Sequence, residues 1–90
     1  VKHVIRKAFT ITSKTGIQAR PAAQLVNLSG KFTSNIFLEF KGKSVNLKSI
    51  MGVMSLAVGK GAEITIAADG TDEDEAMEQI ERFIKGEIGE

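Results

Sequence analysis

The hydrophobic spacing of this chain switches repeatedly between two residues and three-to-four, and that switching limits what it can fold into. Ile36, Leu38 and Phe40 alternate with Phe37 and Glu39, and Phe9 with Ile11, Val45 with Leu47, and Ile64 with Ile66 repeat the two-residue step. Strands of this kind have one face to bury and one to leave open. Ala22, Leu25, Val26 and Leu28, and later Ala76, Met77, Ile80, Phe83 and Ile84, recur at helical spacing as single apolar stripes. One-sided strands with one-sided helices predict an α+β domain, its helices on one face of an antiparallel sheet.

In chain order the pattern predicts a strand over Val4 to Ile11 and a helix from Ala19 to about Leu28, ended by Gly30. A second strand runs from Phe32 to Phe40, and Lys41-Gly42 turns into a short third strand through Val45 and Leu47. Ser49 opens a short helix, Ile50 to Leu56, and Glu63 to Ala67 is the fourth strand. After a turn at Asp69-Gly70, Asp72 with Glu75 has the spacing of a capping box for the last helix, with Thr71 and Asp74 as the alternative pair. Gly86 to Glu90 is expected to fray. Phe32, Phe37, Phe40 and Phe83 are expected to pack in the core or on the sheet rather than to stack on nucleic-acid bases. The 90 residues fit one domain, 1–90, with one modest core.

Several function classes are set aside by what the chain lacks. There is no cysteine for a disulfide framework or thiol chemistry, and no apolar run near the length of a membrane span. The opening Val1-Lys2-His3-Val4-Ile5-Arg6 has no signal-peptide-like apolar region, so a cytoplasmic location is expected. A net charge of +1 disfavours binding nucleic acid through bulk electrostatics. Lys and Arg nevertheless dominate up to Lys60, and Asp69 to Glu90 is acidic. That asymmetry is either a plain solvated surface or a basic side that steers an acidic partner.

His3 stands alone without clustered ligands, and the carboxylates of Asp69 to Glu75 do not have calcium-loop spacing, so no metal site is expected. Gly59-Lys60-Gly61 is too short for a phosphate loop, and no nucleophilic triad is assembled. No cofactor is expected, and the chain is not expected to be an enzyme.

Two segments do carry chemical meaning. Thr15-Gly16-Ile17-Gln18-Ala19-Arg20-Pro21-Ala22 reads as a strand exit, a tight turn and a helix entry. Gly16 permits the turn, Pro21 suits a first helical turn, and Arg20 sets a permanent cation beside free helix N–H groups. That is an anion site with an amide, Gln18, where a reactive group would be expected.

Ser49 precedes Ile50-Met51-Gly52-Val53-Met54 and is either a plain N-cap or a phosphorylation site. A phosphoryl group there would meet orphan N–H groups, with Lys48 and Lys43 nearby. Ile50, Met51, Met54 and Leu56 are more apolar residues than so short a helix can bury, which predicts an exposed contact patch including Ile50 or Met51.

These two segments, about thirty residues apart, together resemble the active-site and regulatory-serine segments of HPr, the phosphocarrier family of the bacterial sugar phosphotransferase system. The resemblance extends through Phe32-Thr33, Gly42-Lys43, Lys60-Gly61 and the acidic start of the last helix. It implies an open-faced sandwich of order β-α-β-β-α-β-α, its four antiparallel strands arranged 1-4-2-3. The departure is Gln18, which stands where the family's histidine accepts the phosphoryl group; glutamine has no comparable nucleophile. The substitution resembles the branch that keeps the serine switch and lacks the histidine.

For such a chain the resemblance implies phosphorylation of Ser49 by the HPr kinase/phosphorylase. Binding as corepressor to catabolite control protein A, a LacI-type repressor, would follow. Ile50, Met51 and Met54 would supply apolar contact, with Arg20, Ala19, Ala23 and Lys48 at the phosphate and partner contact. The alternative is a phosphocarrier HPr whose histidine has been replaced by Gln18, and a third reading is a paralogue that binds the kinase or metabolic partners alone. The first strand is implied to lie at a sheet edge, so a monomer that can also form a strand-exchanged dimer is expected.

Overall fold

The computed structural model describes residues 4–90; His3 lies outside the described residues. The elements follow one another as β1 (Ile5–Thr10), α1 (Ala19–Ser29), β2 (Asn35–Phe40), β3 (Lys43–Asn46), α2 (Ile50–Ser55), β4 (Glu63–Asp69) and α3 (Glu73–Glu87). The four strands form one antiparallel sheet in the order β1-β4-β2-β3. This is the expected α+β open-faced sandwich.

The alternation sets the register. Leu38 faces Ile66 on β4 and Val45 on β3, while Phe9 faces Ile64. Ile36, Leu38, Ile64, Ile66 and Ala68 therefore share the covered face, each 1% exposed or less. Against them lie Ala22 and Leu25 of α1 and Ala76, Met77, Ile80 and Ile84 of α3. Burying these stripes is the principal stabilisation available to helices and strands that are each apolar on one side only. Phe32, Phe40 and Phe83 are half-buried against this core, whereas Phe37 lies on the open face and is 38% exposed. The β2–β3 turn takes positive φ at Lys41 (50°) and Gly42 (78°), the backbone that two-residue hairpin loops require.

Four expectations are corrected. β2 begins at Asn35 rather than Phe32, because the Thr33 and Ser34 N–H groups donate to the Asp72 carboxylate, each at 2.9 Å, instead of to a strand. For the same reason the Asp72–Glu75 capping box does not form, Asp72 making no cap bond within α3, and the Thr71 hydroxyl of the alternative pair meets the Thr33 hydroxyl at 3.2 Å. Glu73 instead accepts from the Gly70 N–H at 3.0 Å. Asp72 is also bonded by the Ser34 hydroxyl, and these donors hold its carboxyl down at about 2.

The third difference is at residues 86–90, which do not fray. α3 continues through Gly86 to Glu87, Ile88 is 2% exposed, and Glu90 exchanges two backbone hydrogen bonds with Thr10, at 2.8 and 2.9 Å. β4 also runs on to Asp69, two residues beyond its expected end.

Candidate functional site

The β1–α1 connection owes its shape to one backbone choice. Gly16 has φ +67°, and its N–H donates to the Ser13 carbonyl at 3.0 Å while the Ser13 hydroxyl donates to the Gly16 carbonyl at 2.8 Å. A Cβ at Gly16 would sit 2.2 Å from the Val58 carbonyl oxygen and 2.6 Å from the Gly59 Cα. The α2–β4 connection thus closes directly over this turn, and the Ile17 N–H donates to the Val58 carbonyl at 3.0 Å. Sequence reading singled out Gly16 but not its neighbours at 58 and 59. A contact made by backbone leaves no side-chain signature to read.

Gln18 is the N-cap of α1 in extended conformation (φ −92°, ψ 179°), exposed, with no cap bond from its side chain. Its carbonyl accepts from the Ala22 N–H at 2.9 Å. Ala19, Arg20 and Ala23 are exposed on the first turns, which contain no acidic side chain. Among the described residues no carboxylate pairs with Arg20. The entry to α1 therefore presents a free guanidinium and an uncharged amide. It can hold an anion, and it contains no nucleophile.

Ser49 is the N-cap of α2, with extended backbone (φ −112°, ψ 114°). Its Oγ accepts from the Gly52 N–H at 3.1 Å, its carbonyl accepts from Val53 N–H at 3.1 Å, and its own N–H donates to Asn46 O at 3.0 Å. The hydroxyl is half-buried. Lys48 turns from it: its Nζ donates to the Phe32 carbonyl at 2.7 Å and its N–H to Asn46 Oδ1 at 2.8 Å. Lys43 is exposed in β3.

Only Val53 of α2 is buried. Ile50, Met51 and Met54 are 39%, 79% and 41% exposed, so the sequence-predicted apolar patch is present, while Leu56 at its end is buried. α1 and α2 pack against each other in the helical layer. Arg20, however, reaches no polar group of Ser49, whose partners are Gly52, Asn46 and Val53.

An open groove of about 910 Å³ lies elsewhere, between the β2–β3 turn and the α2–β4 connection, with Lys41, Lys43 and Lys60 around Phe40 and Leu56. None of Gln18, Arg20, Ser49 or Met51 lines it. Among the described residues no three His, Cys, Asp or Glu side chains are grouped so as to hold a metal ion, and no helix is long and apolar enough to cross a membrane.

The family described as "PTS-HPr: PTS HPr component phosphorylation site" matches residues 5–86. The chain is similar to the phosphocarrier protein HPr of Bacillus anthracis at 46% identity and a TM-score of 0.83, over 89% of this chain and 95% of that one. It is similar to Crh, the Bacillus subtilis catabolite repression protein solved as a swapped, intertwined dimer, at 54% identity and a TM-score of 0.74, over 84% and 87% of the two chains. A third similar structure is the HPr dimer of Thermoanaerobacter tengcongensis, with 46% identity and a TM-score of 0.76 over 89% and 92%.

Proposed function

This chain belongs to the HPr family, and from that membership we propose that it is a Crh-type regulatory protein switched at Ser49. The HPr kinase/phosphorylase transfers the γ-phosphoryl group of ATP to Ser49 Oγ. The new O–P bond replaces the bond to ADP, and the hydroxyl proton leaves to the kinase. The phosphorylated chain then binds catabolite control protein A as corepressor. It acts throughout as substrate and ligand rather than catalyst, as one domain over residues 1–90, in the cytoplasm.

The observation that carries the reading is the pairing of a serine hydroxyl at the α2 N-cap with three exposed apolar side chains, Ile50, Met51 and Met54, on the helix it opens. A phosphate on that oxygen keeps an acceptor beside the Gly52 N–H and adds charge and oxygens at the rim of the Ile50–Met51–Met54 patch. A charged centre beside a deformable apolar surface suits recognition of one modification state by a protein partner. Arg20, Ala19 and Ala23 extend the contact along α1, and Lys48 flanks it.

Gln18 supports the regulatory role over the carrier role. Its side-chain amide cannot accept and release a phosphoryl group near neutral pH. The similarity to phosphocarrier HPr keeps the second reading in view: an HPr whose histidine has been replaced by Gln18. Incubation with ATP and the HPr kinase, followed by mass spectrometry, is expected to place one phosphate on Ser49, and an unmodified Ser49 would overturn the proposal. Incubation with phosphoenolpyruvate and the first enzyme of the phosphotransferase system is expected to leave the chain unlabelled. Acid-labile phosphate on it would favour the carrier.

A second copy of this chain is a further partner. Among the described residues β1 lies at the sheet edge with β4 as its strand neighbour, and exchanging it between copies would rebuild the same sheet twice. The swapped dimer of Crh and the dimer of a related HPr support this reading.

A further inference from the structure

Residues 88–90 run back across the point where β1 leaves the sheet. The Thr10 N–H donates to the Glu90 carbonyl at 2.8 Å, and the Glu90 N–H returns to Thr10 O at 2.9 Å. Both the Thr12 and Ser13 N–H groups donate to the Ile88 carbonyl, at 2.9 and 3.1 Å. Ile11 bridges Gly89, and the Ile88 side chain is 2% exposed in the core. The approach is close: a Cβ on Gly89 would lie 2.3 Å from the Thr10 carbonyl oxygen. A tail read from sequence as fraying is thus fixed to the last residue of β1 and to the loop behind it.

These bonds fall into two kinds. Those to Thr10 belong to the strand, and a partner's β1 could remake them in an exchanged dimer, as it would remake the β1–β4 ladder. Those to Thr12 and Ser13 belong to the connection that must straighten if β1 is to leave its own body. They are made in the closed monomer, and straightening of the connection would break them. The Ser13–Gly16 turn, where the chain would have to open, is held from one side by its own two bonds and from the other by Ile88.

We propose that residues 88–90 are a latch on this hinge, and that their release is the step that frees β1 for exchange with a second copy of the chain. The inference rests on the strand-exchange reading above. A latch of this kind acts on the equilibrium, because its hinge bonds favour the monomer alone, and on the rate, because β1 cannot peel from β4 while Thr10 is held.

Gly89→Ala tests this in the full chain, since the added methyl group must push the latch from the Thr10 backbone. Ile88→Ala is the second variant; it leaves Gly89 intact and removes the buried anchor. Gly86→Ala, whose Cβ meets nothing within 4 Å, is the control. Circular dichroism verifies folding, light scattering across a concentration series gives the dimer fraction, and dilution gives the interconversion rate. Amide exchange of Thr12 and Ser13 reports the hinge.

Loss of the two hinge bonds in each chain, four per dimer, is expected to raise the dimer association constant about a hundredfold and the interconversion rate about tenfold in both latch variants. Thr12 and Ser13 should lose protection, and Gly86→Ala should match the parent. Dimer present in every variant with constant and rate unchanged would overturn the latch and leave strand exchange standing. If neither parent nor variants dimerise although the Thr12 and Ser13 amides open, the exchange reading falls and the latch proposal with it.

Discussion

Oδ1 of Asp72 accepts both the backbone N–H of Ser34, at 2.9 Å, and the Ser34 hydroxyl, across 38 residues of sequence. Its Oδ2 takes the Thr33 N–H at 2.9 Å. One carboxylate therefore fixes the entry of β2 to the entry of α3. The Gly70 turn completes the joint, since a Cβ there would lie 2.5 Å from Ser34 Oγ. Three hydrogen bonds favour the ionised form, and the carboxyl group falls from its ordinary 3.8 to about 2.

A depressed carboxyl stabilises the fold fully above its unfolded value, and that contribution disappears as pH falls from about 4 through about 2. Asp72→Asn is expected to lower the urea midpoint at pH 7 and to flatten its dependence on pH within that window. Ser34→Ala, which removes the leading donor, is expected to raise the Asp72 titration midpoint, read from its carboxyl carbon resonance. An unchanged midpoint would show that the hydroxyl does not set it.

Glu81 makes a comparable but exposed joint between α3 and the sheet edge. It pairs with Lys7 of β1 and, four residues along the helix, with Lys85 at 2.9 Å, and the two ammonium groups draw its carboxyl down to about 2. Glu81→Gln is expected to lower the melting temperature modestly in low salt. The difference from the parent should shrink as salt screens the exposed charges. Denaturation at low and high ionic strength checks this, and a deficit independent of salt would point to packing instead.

The sequence made the sheet legible where side chains alternate across it. Ile36, Leu38 and Ile66 announce their buried face, and Ala76 to Ile84 announce the stripe that covers it. Strand order was not in that periodicity; it came from the resemblance carried by the Gly16–Pro21 and Ser49–Met54 segments. The failures share a physical cause. Asp72 has the local spacing of a helix cap, and a distant pair of N–H groups outcompetes the local one. Ile88 to Glu90 is held largely through main chain beside two glycines, Gly86 and Gly89, that locally favour an unwound end. At the candidate site, exposure of Met51 followed from overcrowding of a short helix. The direction of the Lys48 side chain, toward the Phe32 carbonyl, had no local sign.

Two glycines separate backbone strain from collision. Gly16 and Gly42 both have positive φ, 67° and 78°, but a Cβ at Gly42 meets nothing within 4 Å while one at Gly16 strikes Val58 O at 2.2 Å. Gly42→Ala is expected to destabilise by about 1 kcal/mol, from the backbone alone. Gly16→Ala should exceed this, at about 3 kcal/mol, because the 58–59 segment must also move. Chemical denaturation of both variants gives the comparison, and equal losses would mean that the α2–β4 connection yields without resistance.

Ser49 and Met51 should part stability from recognition. Ser49→Ala removes the acceptor for the Gly52 N–H and is expected to lower stability by about 1 kcal/mol while leaving the fold intact. After treatment with kinase and ATP, it should gain no affinity for catabolite control protein A. Ser49→Asp should restore little, since a carboxylate offers less charge and fewer oxygens than a phosphate. Met51, 79% exposed, is held by almost nothing within its own chain, so Met51→Ala should change stability by less than about 0.5 kcal/mol. If Met51 lies in the contact, the same change in the phosphorylated chain should weaken repressor binding about tenfold, as truncation of a central apolar anchor does. Calorimetric titration of the phosphorylated parent and Met51→Ala chains measures this. Equal affinities would remove Met51 from the interface, and affinity retained in Ser49→Ala would remove the phosphate.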